Sequence, residues 1–149
     1  MIRFMIVLVV TVFIDLYAKF IVMNKMVEGE SIPVWPNVFH LTYIQNPGAA
    51  FGMLAGKTWF FVGITLLVLL GMAAGHRRIR QAGPLYQWAL GLVAGGAIGN
   101  LADRIRFARV IDFLDFRVWP VFNLADTAIC IGVGLILLDA FREFRRQKG

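Results

Sequence analysis

The chain has 149 residues, of which 59% are apolar and 16% charged, with 15 Lys and Arg against 9 Asp and Glu. A soluble domain of this size exposes too much of its surface to hide so much apolar side chain, and a disordered chain would be far more polar. The single cysteine, Cys130, excludes an internal disulfide and a cysteine-based zinc site.

Four apolar runs are long enough to read as membrane spans, at approximately residues 2–23, 59–74, 84–100 and 122–141. The first is interrupted only by Asp15 and Lys19. Arg3 followed by an apolar stretch from Phe4 to Ile14 is also how a cleaved signal begins. No small-residue cleavage site follows, so the first run is read as a retained helix. The second run carries no charge, the third is rich in glycine, and the fourth holds Asp126 near its start and Asp139 near its end. Together they predict one integral membrane domain over residues 1–149.

The charges then orient the chain. Arg3, Arg77, Arg78, Arg80, Arg142, Arg145, Arg146 and Lys148 all flank one end of the four spans, with only Asp139 and Glu143 beside them. The whole net charge of +6 therefore sits at that end, which the positive-inside rule makes cytoplasmic, with both termini there. The excess is thus a topology signal and no pointer to nucleic acid. At the outer end seven bases meet seven acids.

Two long connections share that outer end. In the first, Phe39, Leu41 and Tyr43 alternate with polar residues and predict a strand over 37–45, closed by Asn46, Pro47 and Gly48. Pro33, Trp35 and Pro36 before it predict an irregular interfacial segment. In the second, residues 105–120 are too polar to span and too apolar to float free, so they are expected to fold back over the bundle mouth.

Polar groups inside the spans need a reason, because hydrocarbon makes them costly. Asp15 and Lys19 are four residues apart and face one another as an ion pair, which either lets the helix insert or shapes a polar site. Gly91, Gly95 and Gly99 recur every fourth residue and predict close helix packing. One turn on, Asn100, Asp103 and Arg104 fall on one face and form a polar cluster where the helix leaves the membrane. Asn123 and Asp126, three apart after Pro120, are placed to cap a helix and to sit in its first turn. Asp112, between Ile111 and Phe113, has no such local explanation. If Asp112 and Asp126 meet, their repulsion in a poorly hydrated site leaves them sharing a proton, the arrangement that aspartic proteases use. One carboxylate can then activate water while its protonated partner polarises a carbonyl. The rival reading is a small ion or proton transporter built on the intramembrane carboxylates Asp15 and Asp126 and on Lys19. Cys130 reads as a packing residue, His40 as a structural one, and Ser31 as lacking a base nearby.

The motifs Asp15-x-x-x-Lys19, Asn46-Pro-Gly-Ala-Ala-Phe51, Gly95 to Arg104, Val110-Ile-Asp112-Phe113 and Phe122-Asn-Leu-Ala-Asp126, in this order, resemble those of bacterial lipoprotein signal peptidase, or signal peptidase II. The resemblance implies an aspartic endopeptidase of the bacterial inner membrane with Asp112 and Asp126 as the catalytic pair. It implies cleavage of prolipoproteins before a diacylglyceryl-modified cysteine, inhibition by the peptide globomycin, and no metal or other cofactor. Asn46, Asn100, Arg104 and Asn123 match positions that line the site, with Asp15 and Lys19 in support. The implied fold is a membrane all-α, four-transmembrane-helix bundle with a small extracytoplasmic β-sheet and a segment covering the site. A monomer among membrane lipids is expected. Leu16 and Gly52 stand where the family often has glutamine and serine.

Overall fold

The structure, a computed structural model, describes residues 1–48 and 53–148. Phe51 and Gly52, with the end of the motif that begins at Asn46, lie outside the described residues. The elements in order are α1 (Ile2–Lys25), β1 (Ser31–Trp35), β2 (Phe39–Asn46), α2 (Thr58–Ala74), α3 (His76–Gln81), α4 (Pro84–Phe107), β3 (Val110–Asp115) and α5 (Leu124–Lys148). The protein is mostly helical, with one three-stranded antiparallel sheet in the order β1-β2-β3.

Helix α4 is the one the others pack on. It starts where Gly83 is extended and Pro84, preset for the first turn, has no N–H to lose, and it ends at Ala108 in a left-handed conformation. Its glycines set the spacing to its neighbours. A β-carbon on Gly95 would lie 2.7 Å from the Thr11 side chain and one on Gly91 2.9 Å from the Phe4 carbonyl, so both face α1. Gly96 is pressed against the Ala125 carbonyl of α5, and Gly99 against the Asp15 carboxylate. The every-fourth-residue glycines thus do pack α1, and Gly96 adds a second face that the repeat did not predict.

Helices α1 and α5 are each long and apolar enough to cross a membrane, and α2 is apolar but shorter. Their outward surfaces carry Phe13, Tyr17, Leu67, Leu70, Leu137 and Phe141, all exposed. Only Val62 of α2 is buried. Exposed aliphatic and aromatic side chains in such density have no favourable partner in water, and they suit a hydrocarbon solvent.

Two apolar clusters hold the ends. At one, Val22 of α1 and Met26 just beyond it pack on Tyr43, Ile111 and Phe113 of the sheet; at the other, Phe4, Ile79, Leu90 and Ala94 meet. The sheet differs from expectation in two respects. Residues 31–35 form a regular strand with a bulge after Pro33, where an irregular segment was expected. Proline is tolerated because β1 is an edge strand. Residues 105–107 prolong α4, and β3 occupies part of what was read as a folded-back loop. β3 is buried on nearly every residue, so it lacks the alternation that betrays a half-exposed strand.

Gly96→Ala is expected to force α4 and α5 apart, because its methyl meets backbone, at a cost of about 1–3 kcal/mol. Gly134→Ala, which meets nothing within 4 Å, is expected to be neutral or slightly stabilising. Thermal unfolding of the two variants in detergent checks the contrast.

Candidate active site

The sheet end of the bundle gathers most of the buried polar side chains: Asp15, Lys19, Asn100, Asp103, Asp112, Asp115 and Asn123. They arrive from α1, α4, β3 and the start of α5, each for a local reason. β3 brings Asp112 opposite Ile44 in register, with Asn46 two residues along β2 on the same face. Asn123 is the cap of α5: its Oδ1 accepts the Asp126 N–H at 2.9 Å, and its carbonyl accepts the Thr127 N–H. That same side chain turns its Nδ2 to Asp112 Oδ1 at 2.6 Å. Asn123 thus caps α5 and bonds Asp112 with the same side chain.

The carboxylates are held by amides. Asn46 Nδ2 donates to Asp112 Oδ2 at 3.0 Å, and Asn100 Nδ2 donates to Asp126 Oδ1 at 2.7 Å. Asp112 and Asp126 both line a cavity of about 250 Å³, closed by Trp119, Pro120, Val121 and Phe122. The segment between β3 and α5 thus covers this site, as expected of the second connection. Burial pushes the Asp112 carboxyl up to about 7; the Asp126 charge adds to this, while the Asn46 and Asn123 amides and Lys19 oppose it. Asp115, three residues along β3 and so on the other face, behaves oppositely. Burial raises it too, but the Thr42 hydroxyl and the Arg117 N–H and guanidinium outweigh that and hold it below the usual carboxylate range.

Behind the two carboxylates lies a charged triad. Lys19 Nζ is 2.8 Å from Asp15 Oδ2 and 2.8 Å from Asp103 Oδ2, and it donates to Asn100 Oδ1 at 3.0 Å. Both acids also accept backbone bonds, Asp15 from the Ala125 N–H at 2.8 Å and Asp103 from the Ile111 N–H at 3.1 Å. The expected Asp15–Lys19 pair is present, and Asp103 completes it. The expected cluster on α4 divides: Asn100 and Asp103 face Lys19, whereas Arg104 turns aside. Its guanidinium donates to the Gly48 and Asn100 carbonyls at 3.4 and 3.5 Å and lies 4.9 Å from the centre of the Phe61 ring.

Two other expectations meet the structure differently. Cys130 is exposed and lines the cavity one turn beyond Asp126, so it is not a core packing residue. α5 is apolar on all sides, and its sequence carries no mark of which side faces inward. Ser31 does have a base nearby, since its Oγ is 3.1 Å from His40 Nδ1 across the β1–β2 pair. Ser31 Oγ also bonds Thr42, and through Thr42 the pair reaches Asp115, so it ties the three strands together. Leu16 lines an outward apolar groove with Val12, Phe13 and Tyr17, away from the carboxylates.

A helical bundle with an apolar outer surface and a cavity at one end that bears two carboxylates is the build of a membrane enzyme. Two solved bacterial membrane enzymes share the fold: one at TM-score 0.87 and 33% identity over 95% of this chain and 88% of that one, the other at 0.81 and 34% over 92% and 91%. The family model described as Signal peptidase (SPase) II matches residues 7–142. The lipoprotein signal peptidase of Pelotomaculum thermopropionicum is 53% identical over 96% of this chain and 97% of its own length; that of Desulfitobacterium hafniense is 46% identical over 91% and 90%. The chain belongs to the signal peptidase II family, and it is accordingly a membrane protease of lipoprotein processing.

Asn123 separates stability from activity. Asn123→Ala is expected to lose the cap, about 0.5–2 kcal/mol, together with peptidase turnover. Asn123→Ser keeps a capping oxygen and should regain most of the stability, but without the amide donor to Asp112 it should stay at least about 10²-fold down in turnover. Thermal unfolding and cleavage of a lipidated prolipoprotein, measured on both variants, check this.

Proposed function

We propose that the chain is an aspartic endopeptidase that cleaves prolipoproteins before their diacylglyceryl-modified cysteine, with Asp112 and Asp126 as the catalytic pair. The observation that carries this reading is the single cavity that both carboxylates line, with Asp112 shifted to about 7. Two carboxyl groups facing one cavity, one of them able to hold its proton near neutral pH, are what acid–base hydrolysis of a peptide bond requires.

Asp112 holds the proton and Asp126 acts as base. Asp126 takes a proton from water as the water oxygen attacks the scissile carbonyl carbon, and the Asp112 hydroxyl donates to the carbonyl oxygen as negative charge grows there. The tetrahedral intermediate then collapses. The C–N bond breaks, the proton on Asp126 passes to the leaving nitrogen, and Asp112 recovers its own. Asn46, Asn100 and Asn123 hold the two carboxyl groups in place, and Arg104 fastens α4 to the Gly48 turn and to α2.

The membrane frame is part of the proposal. Helices α1, α2, α4 and α5 are the four spans of one integral domain over residues 1–149. Both termini and α3, with its Arg77, Arg78 and Arg80, face the cytoplasm, and the sheet end faces outward. The protein works as a monomer in the inner membrane among its lipids, and the peptide inhibitor globomycin competes for the same cavity. A transporter would need polar groups through the depth of the bundle. The buried face of α4 between Gln87 and Asn100 is instead Ala89, Leu90, Gly91, Ala94, Gly95, Gly96 and Gly99, which argues against an ion path.

Asp112→Asn and Asp126→Asn are each expected to abolish cleavage of a lipidated prolipoprotein, seen as a lost gel shift, while thermal unfolding stays cooperative. Near-normal turnover in either variant would sink the assignment. The raised Asp112 carboxyl also gives a sign to the pH dependence. The competent form carries the proton on Asp112, so kcat/KM is expected to be high below the Asp112 value of about 7 and to fall as pH rises through it. A rate that keeps climbing to about pH 9 would remove Asp112 from the acid role.

A further inference from the structure

We infer that Lys19 is a positioning residue that decides which end of the Asn100 amide faces Asp126; the inference rests on the carboxylate-pair reading above. An asparagine amide presents a donor and an acceptor of nearly equal size, and shape alone does not choose between them. At Asn100 the choice is electrostatic. Two donors converge on Oδ1, Lys19 Nζ at 3.0 Å and Asn123 Nδ2 at 3.1 Å, so Nδ2 is left to donate to Asp126 Oδ1 at 2.7 Å. A flipped amide would set oxygen against the Asp126 carboxylate and NH2 against an ammonium and a second NH2.

Lys19 is itself fully committed. An ammonium has three donors, and here they meet Asp15, Asp103 and Asn100. At 1% exposure the side chain has no donor left for a substrate. Beyond the direct pull of its charge on Asp112, its influence passes through Asn100 to Asp126, and through Asn123, which shares the same oxygen, to Asp112.

Lys19→Met alone strands two buried carboxylates and is a test of folding more than of position. The neutral combination Asp15→Asn, Lys19→Met, Asp103→Asn avoids this, since each new amide can still accept the Ala125 or Ile111 N–H. It is expected to fold, to keep KM for a lipidated prolipoprotein peptide, and to lose about 10²-fold in kcat. Adding Asn100→Ala to it should cost little more, because both changes remove the same donor at Asp126. Near-normal kcat in the folded neutral combination, or losses that multiply, would overturn the inference. Asn100→Asp gives a second reading in the presence of Lys19. It keeps an acceptor for Lys19 and Asn123 but has no NH2, so it should be as inactive as Asn100→Ala; an active Asn100→Asp overturns the inference whatever the combination does. Asp126→Asn is the control for the underlying reading. Its retained activity would remove the carboxylate pair, and the non-additivity of Lys19 and Asn100 would still be measured independently.

Discussion

A lysine ammonium buried between two aspartates is the constraint on which the sheet end of this protein depends. Taking Lys19 out of water costs several kcal/mol, and that cost is offset only if every donor finds an acceptor. The acceptors come from α1 itself, Asp15, and from α4, Asp103 and Asn100. Because Asp15 also takes the Ala125 N–H and Asp103 the Ile111 N–H, the triad fixes the start of α5 and the register of β3. These are the two elements that carry Asp126 and Asp112. A charge cluster behind the cavity thus fixes the elements on which both carboxylates stand.

The close approach this requires is supplied by small residues. Lys19 reaches α4 only because the glycine face lets the helix axes come together, and Gly99 leaves the Asp15 carboxylate its space. Without a hydrophobic effect to press helices together inside a bilayer, such packing and polar contact are the forces available. Glycine spacing and the buried triad are two parts of one device.

Local features were legible from the residues themselves. The Asp15–Lys19 spacing announced an ion pair, the glycine repeat announced a tight interface, and Asn123 before Asp126 announced a helix start. Asp112 was legible by default, as a carboxylate with no local excuse. What escaped were the relations set by tertiary register. Asp103 as the third member of the triad, and His40 beside Ser31, depend on which residues stand across a strand or helix pair. β3 escaped because it is covered on both faces and so has no alternation to read. Cys130 escaped because a helix that is apolar all round does not encode which side meets lipid and which meets a cavity.

The long reach of the triad also bears on how the protein is made. Asn100 lies 81 residues beyond Lys19 and Ala125 110 residues beyond Asp15. At about 5–20 residues per second of synthesis, Lys19 emerges on the order of 4–16 seconds before its α4 acceptors exist. Over that interval its companion is Asp15, one turn away on the same helix. The first span can therefore enter the bilayer with Asp15 and Lys19 already neutralising one another, and Lys19 keeps this first partner and gains Asp103 and Asn100 only when the later helices arrive. The carboxylate-lined cavity then forms only once α5 has followed α4 and β3, so Asp112 and Asp126 come together late.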